Sequence, residues 1–369
     1  MCKLKIGIIT FHAAENFGSA LQAFALEKVL MKNNYIPEII DFILESDMKQ
    51  YRLFRRHLYK HRPKAFLGDL IYYSRNLKRR YNFKSFKNKH LQVSSKQFYS
   101  GKDDLRGLNS EYDAFVCGSD QIWNLNCTNG FVSEYFLTFV DSSKKKISYA
   151  PSMPTKVSSK YYGDLKTSIE NLNSISVREK QTIGYLQDTV GVKTEIVQVV
   201  DPTLLIDSNS YVENFGIKKK NEKYIFVYIL GDSEINKSII DMANQTSNQT
   251  GMKIKYVFIR SIKEFKKAEY LLGCGPVEFL DAIYNASYVI TDSFHATVFS
   301  VHFHVPFCVF PRKGSESRMN ELLGAIDMTE NIYLPHSMEW MKYQSDENTN
   351  TKVKQMAEKS LKFLLESLE

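Results

Sequence analysis

Asp292, Ser293 and His295 stand together where the apolar run Tyr288-Val-Ile-Thr gives way to a helical pattern. A serine at that point can cap the helix, which puts Phe294 and His295 in the first turn. The positive end of a helix dipole lowers the affinity of an imidazole for a proton. His295 would then be mostly neutral, yet able to carry protons near pH 7. The same end suits a phosphate or a carboxylate. A histidine so placed can equally well hydrogen-bond a neighbouring loop. His302 and His304 are two positions apart, so on one helix they point to different sides and make no metal pair.

Other candidates also follow apolar runs. Arg178 ends Ser-Ile-Ser-Val and precedes Glu179. A guanidinium at a strand's carboxyl end can grip a carboxylate or phosphate through two hydrogen bonds, or pair within its own helix. Asp120 lies in Cys117-Gly-Ser-Asp-Gln-Ile-Trp123, where Trp123 offers either a flat face for a sugar ring or an ordinary core ring. Arg312, Lys313 and Arg318 add positive charge after the last apolar run.

The elements that must position these groups are legible as short apolar runs between helical patterns. Ile6 to Phe11, Glu38 to Phe42, Ala114 to Cys117, Lys146 to Ala150, Ser174 to Val177 and Ile196 to Val200 form one series. After Asp201-Pro202 come Tyr224 to Leu230, Ile254 to Ile259, Tyr288 to Thr291 and Pro306 to Phe310. Runs of this length fit strands buried on both faces of a parallel sheet, so two α/β units are expected. The expected division is 1–205, with a basic helical insertion at about 49–100, then 206–350, then an amphipathic helix at 351–369. The first run leads through a turn at Asn16 to Gly18 into a helix, with Ser19 the expected cap and Leu21, Phe24, Ala25 and Val29 on one face. Gly275-Pro276 should open another helix, with proline at its first position.

Composition narrows the classes. A chain of 369 residues with 43% hydrophobic content can build two ordinary cores. No run approaches the roughly 18 apolar residues of a membrane span, and the N-terminus reads as a first strand without an export signal. The five scattered cysteines form no Cys-x-x-Cys pair, which fits a reduced, cytoplasmic protein. The net charge of +8 is concentrated, for between Lys49 and Lys89 the only acid is Asp69. Aromatics interleave this segment, as suits an anionic membrane surface, a lipid-linked acceptor or nucleic acid; a solvated helical surface is the plainer alternative. A dinucleotide fingerprint, a P-loop, His-Glu-x-x-His, Gly-x-Ser-x-Gly and a strand-following Asp-x-Asp are all missing.

Six motifs in order resemble the polysaccharide pyruvyl transferase family. They are Gly7-Ile-Ile-Thr-Phe with Asn16-Phe-Gly18-Ser19-Ala-Leu-Gln22, Cys117-Gly-Ser-Asp-Gln-Ile-Trp-Asn124, Ile147-Ser-Tyr-Ala150, Ser176-Val-Arg-Glu179, Val200-Asp-Pro-Thr-Leu-Leu205 and Thr291-Asp-Ser-Phe-His295. The resemblance implies two Rossmann-like domains facing across a cleft in a GT-B-like glycosyltransferase architecture. It also implies transfer of pyruvate from phosphoenolpyruvate to a sugar as a cyclic ketal, with phosphate released and neither metal nor cofactor required. His295 and Arg178 would carry catalysis and converge on the donor, with Asp292, Ser293, Phe294 and Arg318 at the donor. Asn16, Gly18, Ser19, Gln22, Asp120 and Trp123 would line the acceptor side or cleft. Some members carry arginine at the position of Ser293, which shifts phosphate binding here toward Arg178 or Arg318. Many carry glycine at the position of Ala296. The expected partners are phosphoenolpyruvate and a saccharide acceptor, lipid-linked in one version, with peripheral contact of 49–89 at the inner membrane face and no nucleic acid. Rival readings are a GT-B glycosyltransferase using a nucleotide sugar, and a non-catalytic polysaccharide-assembly or nucleic-acid-binding protein.

Overall fold

The computed structural model describes residues 3–45, 53–54, 64–153, 156–231, 234–258, 262–265, 267–312, 316–335 and 337–369. The chain divides into two compact units, Met1–Ile206 with Met356–Glu369, and Asp207–Gln355.

In the first unit the described residues form a seven-stranded parallel sheet. Its strands are β1 (Lys5–Ile9), β2 (Ile36–Ile43), β3 (Val93–Tyr99), β4 (Ala114–Cys117), β5 (Lys145–Ser148), β6 (Ser174–Val177) and β7 (Val197–Gln198). They lie in the order β3-β2-β1-β4-β5-β6-β7. Ile8 pairs with Val116 across β1 and β4, the central pair, and both are fully buried. Such runs are apolar throughout because helices cover both faces of a parallel sheet. The strand order reverses between β1 and β4, and loops leaving such a switch point form the ligand-binding edge of open α/β sheets.

Helix α1 (Phe17–Lys32) buries Leu21, Phe24, Leu26 and Leu30. Its cap is Asn16, whose Oδ1 accepts from the Gly18 and Ser19 amides, so Ser19 lies inside the helix and not at its cap. The basic insertion also ends earlier than expected. Helices α2 (Lys64–Ile71) and α3 (Tyr73–His90) give way to strand β3, which pairs with β2 inside the span expected to be helical. Part of that segment, 46–52 and 55–63, lies outside the described residues. Phe83 and Phe86 of α3 pack against Phe17 and Phe24 of α1.

The second unit carries β8 (Tyr224–Tyr228), β9 (Lys253–Val257), β10 (Ala268–Tyr270), β11 (Tyr288–Thr291) and β12 (Phe307–Val309). The described residues form one parallel sheet in the order β10-β9-β8-β11-β12, with its switch point between β8 and β11. Around it lie α4 (Asn236–Thr250), α5 (Pro276–Tyr284), α6 (Phe294–His302) and α7 (Glu316–Ala325). Pro276 does sit at the start of α5, where its missing N–H costs nothing. Helix α8 (Glu347–Leu368) starts before the expected residue 351. Its last residues belong to the first unit, where Ser360 Oγ accepts from the Val200 amide at 3.0 Å.

Candidate functional site

The loops that leave β1, β4 and β6 build a polar cluster in the first unit. Gly118 follows β4 with φ +119°, and a Cβ there would lie 2.1 Å from the Tyr149 carbonyl oxygen, so only glycine fits. That close approach brings the next two residues under α1. The Ser119 amide donates to Gln22 Oε1 at 3.1 Å, and Thr10 Oγ1 donates to the Ser119 carbonyl at 3.2 Å. Gln22 Nε2 in turn donates to Thr10 Oγ1 at 2.9 Å. Ser19 Oγ donates to Asp120 Oδ2 at 2.5 Å. Ser19, Gln22 and Asp120 are all buried, and their bonds turn toward one another.

Arg178 leaves β6 into the same cluster. Its Nη2 donates to Ser119 Oγ at 2.6 Å and pairs with Asp201 Oδ2 at 2.7 Å. The side chain is only 4% exposed, so its charge is taken up within this unit. Asp201 is itself fixed by bonds from the Thr203 amide and hydroxyl. Glu179 accepts from Ser152 Oγ at 2.5 Å. A buried ion pair of this kind holds its place only when its remaining valences are satisfied.

Trp123 was a candidate platform for a sugar ring, and the structure assigns it to the core. It is fully buried, stacks on Phe136 at 5.1 Å between centroids, and donates Nε1–H to the Tyr135 carbonyl at 3.0 Å. A tryptophan with its one donor satisfied and both faces covered has no surface left for a ligand.

The second unit gathers a different set at the end of β11. Ser293 caps α6, its Oγ accepting from the Ala296 amide at 3.3 Å, and its carbonyl accepts from Thr297 Oγ1. Thr291 Oγ1 donates to the Tyr228 carbonyl, which locks β11 to β8 at the switch point. Asp292 makes a second tie there, its Oδ1 accepting from the Leu230 amide at 2.8 Å. Arg312 Nε lies 3.5 Å from Asp292 Oδ2. Burial pushes the Asp292 carboxyl up to about 6, against the opposing pull of the Leu230 amide and Arg312.

His295 stands in the first turn of α6, partly exposed, with its ring edge-on to Phe294 at 5.4 Å. The Arg318 guanidinium, from α7, lies 5.6 Å from the Phe294 ring centroid. Asp292, Ser293, Phe294, His295, Arg312 and Arg318 are thus one neighbourhood; Lys313 lies outside the described residues. His304 is not on a helix with His302, because α6 ends at His302 and His304 has φ +55°.

The model of the polysaccharide pyruvyl transferase family matches residues 16–314. The chain belongs to that family. Its enzymes are pyruvyl transferases, and the matched span takes in most of both neighbourhoods, from Ser19 to Arg312, with Thr10 and Arg318 just outside it. No curated protein matches the chain in sequence. Among solved structures, the UDP-GlcNAc 2-epimerase of Methanocaldococcus jannaschii is similar at 12% identity and TM-score 0.51, over 97% of this chain and 92% of that one. A Listeria monocytogenes protein assigned as a UDP-N-acetylglucosamine 2-epimerase is similar at 10% identity and TM-score 0.51, over 99% and 91%. At such identities the likeness concerns the fold alone, which is the expected GT-B type with two Rossmann-like units.

Three members of the polar clusters are absent from the residues expected at the site. Thr10 and Ser119 stand inside two of the six motifs without a chemical signal of their own, and their roles emerge from the bonds they make to Gln22, Arg178 and each other. His12 was the third. Its fully buried ring bonds the Thr10 carbonyl at 3.2 Å and Asp41 at 2.8 Å. The one available signal was its position just beyond the first strand.

Proposed function

We propose that this pyruvyl transferase takes pyruvate from phosphoenolpyruvate and sets it on two hydroxyls of a saccharide as a cyclic ketal, releasing phosphate. The observation that supports this most is the grouping at the end of β11, where a capped helix start, an imidazole in its first turn and two guanidinium groups share one neighbourhood. The donor carries a carboxylate and a phosphate on three carbons. A helix N-terminus and arginines are suited to both, and the reading includes no metal.

The reaction needs its protons moved as much as its charge held. The methylene carbon takes a proton, one hydroxyl oxygen bonds the central carbon, the carbon–oxygen bond to phosphate breaks, and a second hydroxyl oxygen closes the ring. Of the two hydroxyl protons, one ends on the new methyl group and the other on phosphate. We assign His295 to that traffic, as base toward a hydroxyl and acid toward the methylene. Arg318 and the Ser293 turn are assigned to the donor, and Asp292 with Arg312 to the shape and charge of that turn. In the first unit the loops carrying Asn16, Gly18, Ser19, Gln22 and Asp120 are assigned to the acceptor. Arg178, whose guanidinium bonds Asp201 and Ser119, is assigned to positioning those loops in place of gripping the donor directly.

The test is saccharide-dependent phosphate release from phosphoenolpyruvate by the His295→Asn variant. The expected loss is about 100- to 10,000-fold, with stabilisation of the fold by phosphoenolpyruvate retained. Near-normal release by the variant would remove His295 from the chemistry. Stabilisation by a nucleotide sugar and none by phosphoenolpyruvate would remove the donor.

A further inference from the structure

Helix α3 is fastened to the first unit by one face. Phe83 and Phe86 lie against α1, Arg79 and Arg80 reach Glu15 at 3.5 Å, and Lys87 Nζ meets Asp41 at 2.7 Å. The outer side of this pair of helices is apolar as well as charged. Helix α2 exposes Phe66 with Leu70 and Leu67 with Ile71, each pair four residues apart, and α3 adds Leu77 and Tyr81 at the same spacing; the six are exposed by 44% to 69%. Among the described residues, 13 large hydrophobic side chains are exposed, and seven of them fall between Phe66 and Tyr81. Scattered exposed leucines need no explanation, but a contiguous stripe marks an interaction surface.

The charge around the stripe says what the partner is. From Lys64 to His90 the chain has eight lysines and arginines against one acid, Asp69, which is buried. Arg79, Arg80 and Lys87 are turned inward to carboxylates, whereas Lys78, Lys84 and Lys89 are exposed along the outer side. An apolar stripe flanked by outward lysines is the pattern of a helix that lies in the plane of an anionic bilayer, with its side chains at the headgroup boundary. Spanning is not in question, since among the described residues no helix is long and apolar enough to cross a membrane. We propose that the outward face of α2 and α3 docks this protein on a bilayer of anionic lipid. The inference does not depend on the donor or on His295, because it concerns a separate surface and is read by binding.

Flotation of the full chain with vesicles tests it. Vesicles of phosphatidylcholine alone are compared with vesicles containing about 30% phosphatidylglycerol, at low and high salt. The expected result is about tenfold or greater preference for the anionic vesicles, weakened by salt. Leu70→Glu with Ile71→Glu should abolish flotation, and Lys78→Glu with Lys84→Glu should lower it by about tenfold. All four side chains are exposed, and an unchanged unfolding midpoint verifies that the variants fold. Equal flotation with both vesicles, no flotation, or wild-type flotation of the apolar variant would overturn the proposal. So would an apolar variant that turns a dimer into a monomer while vesicle binding is absent throughout, which would assign the face to a second copy of the chain.

Discussion

Asp292 shows how one residue can join architecture to chemistry. Its carboxylate accepts from the Leu230 amide across the switch point and faces Arg312, yet its burial raises its proton affinity to about 6. Below that pH the group is neutral, and the neighbourhood of His295 gains one net positive charge. A dianionic donor should therefore bind better as pH falls through about 6. The Asp292→Asn variant keeps the bond to Leu230 and should hold the low-pH KM for phosphoenolpyruvate up to pH 8, about fivefold below wild type there. That factor corresponds to roughly 1 kcal/mol, the interaction of unit charges about 4 Å apart when water screens them. Comparing variant with wild type at each pH cancels the donor's own ionisation. A variant whose KM follows the wild-type curve would place Asp292 outside the donor's field. Asp292 and His295 were legible because both follow a strand whose apolar run is unmistakable. The pairing of Arg178 with Asp201 was not, since the two are far apart in sequence and only the order of β6 and β7 brings them together.

Elements followed the same division between local and distant causes. The central strands were readable because both faces of a parallel sheet are covered, which leaves uninterrupted apolar runs. Two of the edge strands were not, for Val-Ser-Ser-Lys-Gln-Phe-Tyr in β3 keeps only Phe98 buried, and β10 is three residues with none buried. Trp123 could not be sorted from its neighbours in sequence, because the carbonyl that satisfies its N–H belongs to Tyr135. Helix α1 carries a further group that only the fold explains. Glu27 is fully buried and bonds the Gln92 amide at 2.8 Å, and burial pushes its carboxyl up to about 7 against the pull of that amide and Lys28. The folded value exceeds the unfolded 4.5, so the stability that Glu27 contributes is complete below pH about 4.5 and is lost as pH rises through about 7. The Glu27→Gln variant keeps the acceptor and removes the ionisation. It should be more stable than wild type at pH 8, by an amount on the order of 3 kcal/mol, with the difference gone at pH 4.5. Denaturant unfolding at the two pH values reads this directly. A variant less stable at pH 8 would mean that the charged form is the one the helix accommodates.

At the scale of the molecule, two units repeat one plan and use it differently. Each sheet reverses its order beside its first strand, and each places polar loops at that point. In the first unit those loops bond mostly to one another, through Thr10, Gln22, Ser119, Arg178 and Asp201. In the second, an imidazole and arginines gather at a helix start. That contrast is why the proposed function puts the small acidic donor in the second unit and leaves the first to order the loops for a saccharide. The decisive measurement follows the pyruvyl group itself. The protein is incubated with phosphoenolpyruvate labelled in its carbon skeleton and with candidate saccharide acceptors, and the products are read by mass spectrometry. The account predicts the label on a saccharide as a ketal spanning two hydroxyls, with phosphate released in equal amount. Label that stays in phosphoenolpyruvate with every acceptor, while a nucleotide sugar is consumed in its place, would contradict it.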